Sequence, residues 1–140
     1  MSKIYQLLYL SQSSETFSMF RLDELLQKSR LNNKALNITG LLIYNAGFFL
    51  QFLEGDKSNV QMLYKKIQND SRHGKVKILY EQKEDKRIFN EWDMAYKNVY
   101  DFNPQLSSLI TNFIFAKSKK TTLTKKEDIK ELFKAIIKEF

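Results

Sequence analysis

Cysteine is absent from the 140 residues, and histidine, proline and glycine are scarce, with one, one and four copies. Each scarcity removes a class of chemistry. Without cysteine there is no disulfide, thiol nucleophile or Cys-rich zinc site, and the lone His73 supports neither an HExxH motif nor a two-histidine metal centre. Glycine stands only at 40, 47, 55 and 74, so neither a GxGxxG dinucleotide turn nor a GxxxxGKS/T phosphate loop can be written. A Ser-His-Asp site would have to use His73, with little around it for support. Long hydrophobic runs are missing as well. The longest, residues 41–53, contains Asn45 and Gln51 and is too short to span a bilayer. The apolar start after Lys3 is interrupted by Gln6 and followed by no small-residue cleavage site, so neither export nor a membrane is expected; the cysteine-free composition suits the cytoplasm.

What is present describes a folded domain. The chain is 43% hydrophobic and 14% aromatic, and at this length it buries roughly 70% of its unfolded surface. The net charge of +7 raises nucleic acid or an anionic surface as partners. Much of the excess lies in lysines between 117 and 138, interleaved with Glu127, Asp128 and Glu131. That mixture reads as a solvated surface, and nucleic acid is not expected.

Along the chain, residues 4–10 read as a central strand ending at the turn-prone serines 11–14. From Ser18 a helical spacing takes over at Leu22, Leu25, Leu26 and Ser29 and stops at Asn32-Asn33, with Asn33 near the middle of the apolar face. Residues 40–44 and 48–54 form a hairpin through Asn45-Ala46-Gly47. Val60, Leu63, Tyr64 and Ile67 mark a second helix, bordered by Lys66 and Asp70. Residues 76–81 and, more weakly, 92–99 read as strands. The order is βαββαββ. Pro104 opens a helix over 106–115. The capping box Thr124-Lys125-Lys126-Glu127 starts another, with the stripe Ile129, Leu132, Phe133, Ile136, Ile137 and Phe140. This gives an α+β domain over 1–100 with a two-helix extension over 101–140.

Two side chains carry the chemical question. Period-two alternation puts Gln51 on one strand face with Phe49 and Leu53, and Tyr9 on one with Leu7 and Tyr5. A buried amide and a buried phenol each need a partner, since an unpaired polar group costs about 1–3 kcal/mol. Neighbouring backbone, each other or a ligand would serve.

The strings LLYLS around Tyr9, LNNKALNITGLLIY from Leu31, FFLQFLEG around Gln51, IQNDSRH from Ile67 and FNEWDM through Trp92 and Met94 resemble, in order and spacing over about the first hundred residues, the BLUF family of blue-light sensors using FAD. The resemblance implies a ferredoxin-like sheet with two flanking helices, and a flavin held noncovalently between them: FAD, or else FMN or riboflavin. It implies that Tyr9 gives an electron and then a proton to the excited flavin and recovers both. Gln51 meanwhile turns or tautomerises and donates a hydrogen bond to the flavin, shifting absorption to the red. Asn33 is assigned to the ring edge, Asn32 to ring or ribityl, Leu25 and Ile67 to the ring faces, and Lys66, Asp70, Arg72 and His73 to the ribityl and phosphate end. Lys66 stands where Arg is common. Either Trp92 or Met94 would approach Gln51 and relay its state, and the sequence does not say which of the two lies inward. The protein would be a sensor and no enzyme, signalling to a partner protein or through homo-oligomer assembly.

Two other readings compete. The βαββαβ order is shared with RNA-recognition modules, and residues 46–52 faintly echo their aromatic strand, but Ala46 replaces the leading basic residue. A small ferredoxin-like hydrolase lacks any nucleophile and base pair.

Overall fold

The computed structural model describes residues 3–13, 19–70, 73–90, 94–119 and 124–139, and only the backbone of residues 19–21 and 73. In chain order the elements are β1 (Ile4–Ser13), α1 (Met19–Ala35), β2 (Thr39–Asn45), β3 (Phe48–Gly55), α2 (Lys57–Gln68), β4 (His73–Glu84), β5 (Ala95–Asn98), α3 (Pro104–Ser118) and α4 (Lys126–Ile137), with a 3-10 turn at Val99–Asp101. The strands form one mixed sheet in the order β4-β1-β3-β2-β5, antiparallel except for the β2–β5 pair. This is the expected ferredoxin-like α+β arrangement, with β1, β3 and β2 interior. No helix among the described residues is long and apolar enough to cross a membrane.

Alternation along the interior strands builds two separate cores. Leu8, Leu10, Leu41, Ile43, Leu50 and Phe52 point to one side, where Ile110 and Ile114 of α3 and Ile129, Phe133 and Ile136 of α4 cover them. Phe52, Phe89 and Phe133 meet there edge to face, with centroids 4.5–5.9 Å apart. Tyr5, Leu7, Tyr9, Leu42, Phe49 and Leu53 point to the other side, under Leu26 of α1 and Val60, Leu63 and Tyr64 of α2. Both sheet faces are covered, so the open platform on which RNA-recognition modules stack bases is missing.

Local chemistry sets the element ends. The hairpin turns at Ala46 (φ 47°) and Gly47 (φ 89°), both in the left-handed region that primed two-residue turns demand. At Gly40 the strands run so close that a Cβ would stand 1.9 Å from the Phe52 carbonyl oxygen. Asp56 caps α2 by accepting from the Ser58 hydroxyl and amide, and the hydroxyl above all holds its carboxyl below the usual range. Asn103 caps α3 ahead of Pro104. Glu54, buried at the end of β3, accepts from Gln6 and from the Ile88 and Phe89 amides, and its burial raises the carboxyl nonetheless.

Several boundaries differ from expectation, among them both ends of α3, which runs from Pro104 to Ser118. β1 runs on to Ser13 because Ser11 lies buried between paired β3 and β4 positions. α1 continues past Asn32-Asn33, whose carbonyls accept from the Leu36 amide. β4 is longer at both ends. The capping box does not form: the Thr124 amide donates to the Leu79 carbonyl (2.6 Å), its hydroxyl has no partner, and α4 starts one residue later behind Lys125. Ionic contacts then tie the terminal helices to the sheet. The Lys77 ammonium donates to the last carbonyls of α3, Lys97 donates to the Glu139 carbonyl beyond α4, and Lys126 pairs with Glu84. Ile137 of the predicted stripe is half exposed, and Phe140 lies outside the described residues.

Candidate functional site

Tyr9 and Gln51 are direct cross-strand partners in the β1–β3 register. β4 carries an extra residue opposite the Leu8–Tyr9 step, a bulge of the kind that re-aims side chains beside sites. The Tyr9 hydroxyl donates to Gln51 Oε1, and Gln51 Nε2 donates to the Met94 thioether sulfur at 3.4 Å. All three residues are buried, and the Tyr9 ring lies 5.6 Å from that of Tyr64. Burial pushes the Tyr9 phenol well above its ordinary value, with the nearby Tyr64 and Asp70 adding to the shift. At neutral pH it is therefore a protonated donor.

Between α1 and α2 a cleft of about 220 Å³ opens onto this pair. Its walls are Leu25 of α1 and Leu63 and Ile67 of α2, its floor Tyr9, Gln51, Leu42 and Phe49. Asn33 is buried in it, Asn32 is exposed beside it, and Lys66 and Asp70 also line it. The structure thus brings together eight of the twelve residues singled out in the sequence: Tyr9, Leu25, Asn32, Asn33, Gln51, Lys66, Ile67 and Asp70. Met94 joins through Gln51. Arg72 and Trp92 lie outside the described residues, and His73 opens β4 with its side chain outside the description. Sequence reasoning gave no site role to Lys28, Ser29, Leu42, Phe49 and Leu63. Helical spacing could have found Ser29 from Asn33, and cross-strand pairing with Gln51 would have given Leu42 once the register was known. A wider hollow of about 640 Å³ lies on the far side of α2, along Tyr5, Tyr64, Ile78 and Glu81. It shares only Lys66 with the cleft and holds none of the buried amides.

A family model for sensors of blue-light using FAD, BLUF, matches residues 4–95. The chain belongs to that family. Photoactivated adenylate cyclase subunit alpha of Euglena gracilis is 36% identical over 87 residues, 62% of this chain and 8% of the relative. The chain thus spans a small part of that curated relative. Among solved structures, the BLUF protein BlrB in its dark state superposes with a TM-score of 0.79 at 25% identity, covering 100% of this chain and 99% of BlrB. BlsA in its photo-activated state gives 0.78 at 28% identity, covering 96% and 95%. The BLUF match takes in β1 to β4, the first residue of β5 and both helices that frame the cleft.

Proposed function

We propose that this BLUF chain is a blue-light photoreceptor that holds a flavin in the α1–α2 cleft and switches through Tyr9 and Gln51. FAD is the first choice and FMN or riboflavin the alternatives. One observation carries the reading: the buried line from phenol to amide to thioether at the cleft floor. The lining fits the cofactor. Apolar walls suit a tricyclic ring, the amides of Asn33 and Gln51 suit an edge of alternating carbonyls and N–H, and Lys28 and Lys66 suit phosphate. The volume is just below the roughly 300–1,000 Å³ of drug-sized sites, as expected if ring atoms enter and the rest of a dinucleotide lies outside. Asn33 would hold the ring edge, Asn32 the ring or the ribityl chain, and Leu25 and Ile67 the ring faces. Lys66, Asp70, Arg72 and His73 would serve the ribityl and phosphate end, Lys66 with charge but without the guanidinium fork.

When bound, the flavin supplies blue absorption and an acceptor for one electron. The rest is done by the chain's own side chains. Tyr9, held protonated by burial, gives an electron and a proton and takes both back, so nothing is consumed. Gln51 is gripped firmly at its oxygen by a phenol and weakly at its nitrogen by a thioether, a poor acceptor. Turning or tautomerising that amide therefore gives up little on one side and presents a different hydrogen-bonding edge to the cleft. A small light-driven change can shift such a two-state element. Met94, with Trp92, would pass the change to β5 and on to residues 101–140, the output element. These act on a partner protein or on assembly of copies, with no enzymatic step.

The absorbance spectrum of the purified protein before and after blue light tests this. Flavin bands with a reversible red shift are expected, and Tyr9→Phe should keep the bands and lose the shift. A colourless protein with salt-sensitive RNA binding would overturn the reading. Hydrogen exchange of α3 and α4 should differ between dark and light if they carry the output.

A further inference from the structure

The Met94 sulfur that meets Gln51 sits on a side chain with three rotatable bonds, so its place depends on what fixes its backbone. The ladder to β2 cannot do this alone, because it begins one residue later, at Ala95 opposite Leu41. β5 is also the edge strand and only four residues long. Among the described residues, an anchor comes from α1. Leu26, Arg30 and Asn33 stand at i, i+4 and i+7 on one stripe of that helix. Leu26 is buried in the core under α1 and Asn33 in the cleft, and between them Arg30, an exposed residue, donates from its Nε to the Met94 carbonyl at 3.1 Å. A guanidinium suits this task, being always charged and presenting its donors in a fixed plane.

We propose that Arg30 is a positioning residue of the light switch. By holding the Met94 carbonyl it sets the thioether against the Gln51 amide, and so sets how readily that amide turns. The same bond makes α1, which carries Asn32 and Asn33, and the segment that opens β5 move as one body. The proposal rests on the reading of Gln51 as the switching amide, and its test separates the two.

The protein as purified, with 13C-methyl methionine, is compared in the dark with Arg30→Ala, Arg30→Met and Arg30→Lys, the Met94 signal being assigned through Met94→Leu. Arg30→Ala should displace the Met94 methyl resonance and leave that of Met62, exposed on α2, in place. Arg30→Met keeps the stem packing without the donor and should do the same, and Arg30→Lys should return the signal part of the way. Dark recovery of the red-shifted absorbance should change by about twofold or more in Arg30→Ala, the low end of coupling between touching residues, and should not change further when Arg30→Ala is added to Met94→Ala. An unmoved Met94 resonance in both Arg30→Ala and Arg30→Met overturns the proposal. So does an Arg30→Ala effect of equal size with and without Met94. Absence of any red shift in the parent protein would instead remove the reading of Gln51, while the methyl displacement would still decide whether Arg30 holds Met94.

Discussion

The two faces of the sheet are built from the same strands and differ in how completely they are closed. On the α3–α4 side, Leu50, Phe52 and their neighbours meet two apolar stripes and three interlocking aromatic rings. On the α1–α2 side, the residues next along in each strand include a phenol and an amide, and the two helices leave a cleft between them. The α3–α4 face is packed with apolar side chains from the sheet and both helices and supplies stability, the hollows of about 370 and 460 Å³ on that side lying between α3 and α4. The open face leaves polar groups in poor water contact, which is where a small change in hydrogen bonding alters energy most.

The most forceful way to break the comparison is Phe133→Ala. It should cost about 3–5 kcal/mol in urea unfolding, while the light response per folded molecule persists. Failure of the response in folded protein would mean that the dry face takes part in the switch. Next comes Gln51→Leu, which leaves the Tyr9 hydroxyl without its acceptor and should cost about 1–3 kcal/mol while abolishing the red shift. A loss comparable to Phe133→Ala would make Gln51 a structural keystone. Lys97→Met removes the donor to the Glu139 carbonyl at the end of α4. It should destabilise by about 0.5–1.5 kcal/mol and quicken amide exchange in α4 with the cleft spectrum unchanged.

The smallest effect is a slope. The folded state holds the Glu54 proton more tightly than the unfolded chain because burial raises its carboxyl. Glu54 therefore contributes stability fully below the ordinary carboxyl value, and that contribution is lost as pH rises through the raised one. Denaturant midpoints should decline over that window in the parent and stay flatter in Glu54→Gln.

Alternation made the two faces legible in the sequence, because it depends on neighbours two residues apart. It placed Gln51 and Tyr9 on faces that proved to be the same one, and the helical spacing of Asn33 pointed it inward. What joins them is non-local. The register that sets Tyr9 opposite Gln51 spans 42 residues, and no strand carries its own register. Arg30 escaped for the same reason: its acceptor is a backbone carbonyl 64 residues away, which no side-chain pattern announces. The capping box at Thr124 shows local chemistry losing to tertiary contact, since the amide was claimed by the Leu79 carbonyl next to the β4 bulge. Ser11 shows the same, a turn-forming residue drawn into a strand by partners on both sides.

Gly40 has a bearing on the switch from a distance. Where a Cβ would collide with the Phe52 carbonyl, only a hydrogen fits, so the close approach of β2 and β3 belongs to the alignment that sets Gly40 opposite Leu53 and is lost in a one-residue slip of β3 along β2. Such a slip would also turn Gln51 over to the α3–α4 side and put Leu50 or Phe52 at the cleft. The glycine thus works as a keyway, sparing the sheet a misfold with its strands intact and its light sense facing the wrong way.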